Sequence, residues 1–274
     1  MNKIGILIVA ILLYFPIVNF AQQESPVNIF HEPTGDGGFR YYAKNLRLAP
    51  YQLEVSFDAL QNLTASVTLP YFTVVYPGEP TTLFELTPTN NGSTSFRSSY
   101  RLTLGDPNAT IDGKFVYQLP YQSEEAYRMV QGPNGAYTHQ GKYAWDFLMD
   151  EGTKVCASRD GVVVTVKEDS NLGGADKSFM PHANVITVMH NDGSFADYVH
   201  LQQHGALVEP GDHVTSGQVI GYSGNTGWST NAHLHFQVYK AIKFGTQTLP
   251  ARFLLADGIA EQLQEQVVYP AVHK

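Results

Sequence analysis

A single cysteine, Cys156, in 274 residues leaves no partner for an internal disulfide. It sits in Gly152-Thr-Lys-Val-Cys-Ala-Ser, where alternation makes it a small buried strand residue, and nothing nearby supplies the base a catalytic thiol needs. Positive charge is also scarce: Lys+Arg 17 against Asp+Glu 25 gives a net charge of -8, with no basic cluster, which argues against a nucleic-acid partner. Long apolar stripes of helical period are rare, which excludes a helix bundle. Glycine (24), proline (15) and tyrosine (16) are plentiful, and this composition favours an all-β chain with many turns. With 43% hydrophobic and 15% charged residues the chain is too apolar for disorder, and one or two folded domains are expected.

The first residues carry one basic side chain, Lys3, then an apolar stretch broken by Pro16, then small Ala21 before polar Gln22. This pattern predicts a secretory signal, residues 1–21, cleaved after Ala21. An uncleaved anchor is the alternative, disfavoured because the apolar stretch is short for a span. No cysteine follows it, so a lipid-modified amino terminus is not indicated. The expected mature chain therefore has no stable membrane span and is exported to the periplasm, the cell envelope or the medium.

Short alternating runs separated by turn clusters (53–57, 65–69, 71–76, 82–86 and 99–104) predict an N-terminal β-sandwich over residues 22–113, with no cluster of His, Asp and Glu to carry chemistry. Beyond residue 114 most of the histidines appear, and strand candidates at 161–166, 183–190, 196–201, 218–222 and 233–239 predict a second, antiparallel β domain over residues 114–250. Residues 251–274 read as a C-terminal tail with one short helical candidate at 259–268.

The chemistry concentrates in that second region. In Asn231-Ala-His-Leu-His-Phe-Gln-Val, strand alternation projects His233 and His235 from one face and turns Leu234 into the core. A mononuclear catalytic zinc needs three protein ligands and one open position. His139, Asp146 and His235 offer such a set, with six residues between the first two, and Asp150 is an alternative carboxylate. His233 and His200 are then left to act on water or substrate. Alternation places Tyr198 and His200 on a common face, so the Tyr198 hydroxyl could serve the same site or simply pack.

Ordered along the chain, His139, Asp146, His200 in Tyr-Val-His-Leu, Gly221-Tyr-Ser-Gly-Asn-Thr-Gly and His233-Leu-His235 resemble the lysostaphin-type (LytM-like) zinc metallopeptidases of bacterial cell walls. The resemblance covers roughly residues 119–240, with a longer His-to-Asp spacing than many members show. It implies an antiparallel β fold with a groove over the sheet, one Zn2+ ion, and hydrolysis of peptide bonds in peptidoglycan stems or cross-links. The family's ligands fall on His139, Asp146 and His235, and its two non-ligand histidines on His200 and His233. The implied partner is a peptidoglycan peptide; protein partners are left open. His190, at the matching place in the family, is expected to support the sheet beside the site. The alternative is a non-catalytic LytM-like module that binds wall or activates another hydrolase. A lipoyl-type carrier hairpin, suggested by Val208-Glu-Pro-Gly-Asp-His-Val, is disfavoured because no lysine stands at the expected tip.

Overall fold

The computed structural model describes residues 25–260 and 262–273, so the expected signal segment lies outside the described residues. Almost every regular element is a strand; one short 3-10 turn, Lys177–His182, interrupts them. Among the described residues no helix is long and apolar enough to cross a membrane.

The N-terminal strands form two sheets. One runs in the order Val27–Pro33, Phe39–Asn45, Thr81–Pro88, Leu63–Ala65, and the other in the order Tyr71–Val75, Tyr51–Gln61, Ser95–Leu104. Their inward residues, among them Tyr41, Leu53, Val55, Phe84 and Leu86, close one apolar core. The run expected at 65–69 is strand only as far as Ala65 and then turns.

The larger sheet takes its strands from most of the remaining chain. At its centre Val185–Met189, Phe195–Val199, His233–Ile242 and Trp145–Leu148 pair antiparallel in that order. Period-2 alternation sorts its two faces. Ile186, Val188, Ala196, Tyr198, Leu234, Phe236 and Val238 enter a core that the small sheet Lys154–Cys156, Val219–Ser223, Leu201–Ala206 covers from beneath. The opposite face carries His235, Gln237 and Asp197. Cys156 lies fully buried in this core, and burial pushes its thiol up to about 11, so it is inert near neutral pH.

The helix expected at 259–268 does not form. Gly258–Ala260 pairs with Arg252–Leu255, and Val268–Pro270 adds an edge strand beside Ala126–Gln131. β-branched and aromatic residues such as Val268 and Tyr269 favour that pairing, and a short helix with little apolar face could not outweigh it.

The two regions touch at the hairpin after His233–Ile242. Gln52 Nε2 donates to Ile242 O at 3.0 Å, Gln52 Oε1 accepts the Phe244 N–H at 2.9 Å, and the Arg101 guanidinium stacks 4.3 Å over the Phe244 ring. The N-terminal sheet thereby clasps the far end of the strand that bears the paired histidines.

Candidate metal centre

Register alone brings two of the predicted residues together, because Asp146 and His235 stand directly opposite each other on paired strands. His139 arrives from the loop before Trp145–Leu148. That loop is closed by Lys142 N–H to His139 O at 2.8 Å and Asn134 N–H to Lys142 O at 2.9 Å, and the His139 ring is fully buried. His139 Nδ1 lies 3.0 Å from Gly132 O. A carbonyl only accepts, so Nδ1 carries the hydrogen and Nε2 presents a lone pair.

That lone pair meets two others. His139 Nε2 is 3.2 Å from His235 Nδ1 and 3.3 Å from Asp146 Oδ1, and His235 Nδ1 is 2.9 Å from the same oxygen. Three potential ligand atoms this close, sheltered from water, are held together by shared hydrogens or by a cation between them. Burial would push the Asp146 carboxyl up, but hydrogen bonds from His139 and His235, available when those rings carry a proton toward it, and the fields of His235 and His233 hold it well below the usual carboxylate range.

Two further imidazoles flank the triangle. His233 Nδ1 donates to Asn231 O at 2.8 Å, which leaves Nε2 facing inward, 3.7 Å from Asp146 Oδ1. His200 Nδ1 donates to Thr226 O at 2.7 Å, and its ring centroid is 4.6 Å from that of His233. Burial, reinforced by the nearby His233 and His235, pushes the His200 imidazole down to about 3, so the ring is neutral near neutral pH.

His200 reaches the site by a route that simple alternation misses. Its φ of 67° lies in the left-handed region, and this break after Phe195–Val199 swings the ring onto the face that Tyr198 does not share. Tyr198 is instead fully buried in the core, its hydroxyl accepting the Ser158 N–H at 2.7 Å, so it serves packing and not the site. Two other expectations are corrected. Asp150 is exposed, and its backbone carbonyl accepts the Ser223 hydroxyl, so it is no rival for Asp146. His190 follows Val185–Met189 at the end of the sheet remote from His235, with Nδ1 donating to Asp160 O at 2.8 Å.

Residues that sequence reasoning did not single out, or passed over, hold the site in place. Gln131 Nε2 donates to Asp146 Oδ2 at 2.7 Å and to Thr138 Oγ1 at 2.9 Å, while its Oε1 accepts the Tyr137 and Thr138 N–H groups. One side chain thus aims the carboxylate and ties down the loop bearing His139. Fully buried Asn184 donates to Ser170 O and Leu201 O, and its N–H reaches Thr226 Oγ1 at 3.0 Å, which fixes the segment whose carbonyl orients His200. Gly227 has φ +80°, and a Cβ there would come within 2.5 Å of Ala183 Cβ, so the turn beside Thr226 admits only glycine.

Three converging donors beside two oriented histidines on one β sheet make a candidate metal centre. Residues 140–248 match the profile of Peptidase family M23, beginning one residue after His139, and the chain carries an M23 peptidase domain of the lysostaphin/LytM-like kind. Lysostaphin of Staphylococcus staphylolyticus is 39% identical over 118 residues, covering 42% of this chain and 22% of its own. Peptidoglycan DD-endopeptidase ShyA of Vibrio cholerae is 38% identical over 93 residues, covering 34% of this chain and 19% of its own. The crystallised catalytic domain of lysostaphin from Staphylococcus simulans aligns at 34% identity and a TM-score of 0.34, over 46% of this chain and 89% of that one. The chain thus spans about a fifth of the length of these two full-length relatives.

Proposed function

We propose that the protein is an exported zinc metalloendopeptidase that hydrolyses peptide bonds in bacterial peptidoglycan stems or cross-links. The observation that carries this reading is the donor triangle of His139, Asp146 and His235. Zinc at about 2.0–2.1 Å from each of its tetrahedral ligands sets them about 3.3–3.4 Å apart. The separations of 3.2 and 3.3 Å match that spacing, the 2.9 Å between His235 and Asp146 is shorter, and two imidazoles with one carboxylate are donors that zinc favours. The peptidoglycan endopeptidases among the similar proteins support the substrate class.

When bound, zinc supplies Lewis acidity, which polarises a peptide carbonyl and makes water acidic enough to lose a proton near neutral pH. The chain's own groups handle that proton. His233 and His200 each have Nδ1 pinned as donor to a backbone carbonyl, so each can offer an Nε2 lone pair to the cleft. One accepts the proton of the attacking water and, as imidazolium, hands that same proton on to the departing amine; the other stays neutral and orients the water by accepting a hydrogen bond from it. Gln131 keeps Asp146 aimed at the triangle throughout. Residues 22–113 act in this reading as a separate positioning domain and residues 114–250 as the catalytic one. The substrate class implies a place of action outside the cytoplasmic membrane.

The test is mass spectrometry of purified muropeptides after incubation with zinc-loaded protein. Wild type is expected to release new peptide termini and His233→Ala to release none. Unchanged muropeptides with wild type would leave only the wall-binding or activator reading.

A further inference from the structure

The face that carries His235 is organised in three successive rungs across the strands Val185–Met189, Phe195–Val199 and His233–Ile242. The first holds Val185, Val199 and His235, the second Thr187, Asp197 and Gln237, the third Met189, Phe195 and Tyr239. Same-face rungs lie about 7 Å apart, two residues of extended chain. The three differ in chemistry and in cover.

The third rung is sealed. Phe195 and Tyr239 stack at 5.3 Å and are buried with Ala49, and Leu104 packs against them from the N-terminal region. Gly105 comes so close that a Cβ there would lie 2.7 Å from Ala241 Cβ and 3.0 Å from the Phe195 ring. The N-terminal sandwich therefore sits on the same face as the histidines and covers it beyond the second rung. The second rung, between this wall and His235, is polar: Asp197 Oδ1 accepts from Thr187 Oγ1 at 2.8 Å and Oδ2 from Gln237 Nε2 at 2.9 Å. The Tyr239 hydroxyl of the sealed rung also bonds the carboxylate; all three partners are neutral donors, so they orient it without cancelling its charge and leave one acceptor position of its roughly four. Asp197 and Gln237 are only partly buried, unlike Phe195 and Tyr239 of the sealed rung beside them and Thr187 of their own.

We propose that Thr187, Asp197 and Gln237 form a blind-ended subsite, closed by the N-terminal sandwich, in which Asp197 binds an ammonium group of the substrate, such as a peptide amino terminus or the side-chain amine of a diamino acid. The proposal rests on the peptidase reading for its occupant. Asp197 acts on specificity and takes no part in the bond cleavage. A carboxylate held by three neutral donors in a low-dielectric recess favours an ammonium and penalises the same nitrogen once acylated, because the amide brings no charge. The wall behind it limits what extends past that nitrogen.

The test measures binding rather than cleavage. The full chain carrying His233→Ala, in zinc-containing buffer, is titrated by fluorescence anisotropy with two labelled peptides that differ only in a free or acetylated amine on a diamino residue. The free amine is expected to bind about tenfold tighter, Asp197→Asn to bring the two within about twofold, and Thr187→Val to keep the preference. Equal binding of the two peptides before any change at Asp197 would overturn the proposal, as would a preference that survives in Asp197→Asn. Binding needs no turnover, so failure of the peptidase reading leaves this result legible. Muropeptide hydrolysis without an amine preference would defeat the subsite alone.

Discussion

The two halves of the molecule differ in how many ionisable groups they bury. In the N-terminal sandwich the core is made of rings and aliphatic chains: Tyr41 stacks on Phe84 at 4.9 Å, with Phe57 and Phe96 edge-on around them. The histidine-bearing sheet instead buries His139, Asp146, Asn184 and Arg159, and each is held by named partners. Desolvating such groups costs several kcal/mol unless hydrogen bonds or opposite charges replace water, so the second region spends contacts on orientation that the first spends on packing. Chemistry is found where polar burial has been compensated.

Breaking each half should therefore give different signatures. The largest effect is expected for His200→Ala, a fall of about 10²–10⁴-fold in the turnover of muropeptide hydrolysis with metal content unchanged, read by steady-state kinetics. Phe84→Ala is expected to cost about 3–5 kcal/mol of stability in denaturant melts, through a cavity beside Tyr41, while the folded fraction binds as much zinc as before. Gln131→Leu removes the group that aims Asp146 and is expected to weaken zinc affinity about 10–100-fold in competition with a chromophoric chelator, with little loss of secondary structure.

The smallest effect concerns acid. Burial pushes the Asp192 carboxyl up, but hydrogen bonds from Ser194, the Asp112 N–H and Arg159 outweigh it and hold it at about 2. A folded value below the unfolded one means the stabilisation is whole above about pH 4 and is lost as pH falls toward about 2. Thermal melts of Asp192→Asn should converge on wild type across that window and lie slightly below it at neutral pH. A gap that stays constant from pH 7 to pH 2 would remove Asp192 as the source.

Much of this division was legible in the amino-acid order, because strand alternation is a local signal. Val162 to Val166, Ile186 to Met189 and Leu234 to Val238 read as strands and are strands. His233 and His235 fall on one face for the same reason, and the structure places both at the triangle. What alternation could not carry was a change of backbone hand. The positive φ at His200 reverses the face expected from Tyr198, and no residue type near it announces that. Gln131, Thr226 and Asn184 act through contacts between segments distant in sequence, so they look like ordinary polar residues until the sheet is assembled. Gln131 had one faint mark, a polar end to Ala126–Gln131 directly before Gly-Pro. The helical reading of 259–268 failed because an open sheet edge beside Ala126–Gln131 was available to Val268–Pro270, and tertiary pairing overrides weak local propensity. The Asp197 rung needed both the register of three strands and the wall contributed by Leu104 and Gly105.

Zinc stoichiometry, measured by elemental mass spectrometry after dialysis of the purified chain and two variants, is the sharpest probe of the donor triangle. The expected values are one zinc per chain for wild type and for His233→Ala, and essentially none for Asp146→Ala. A wild type that retains no zinc, or an Asp146→Ala chain that keeps a full equivalent, would contradict the assignment of His139, Asp146 and His235.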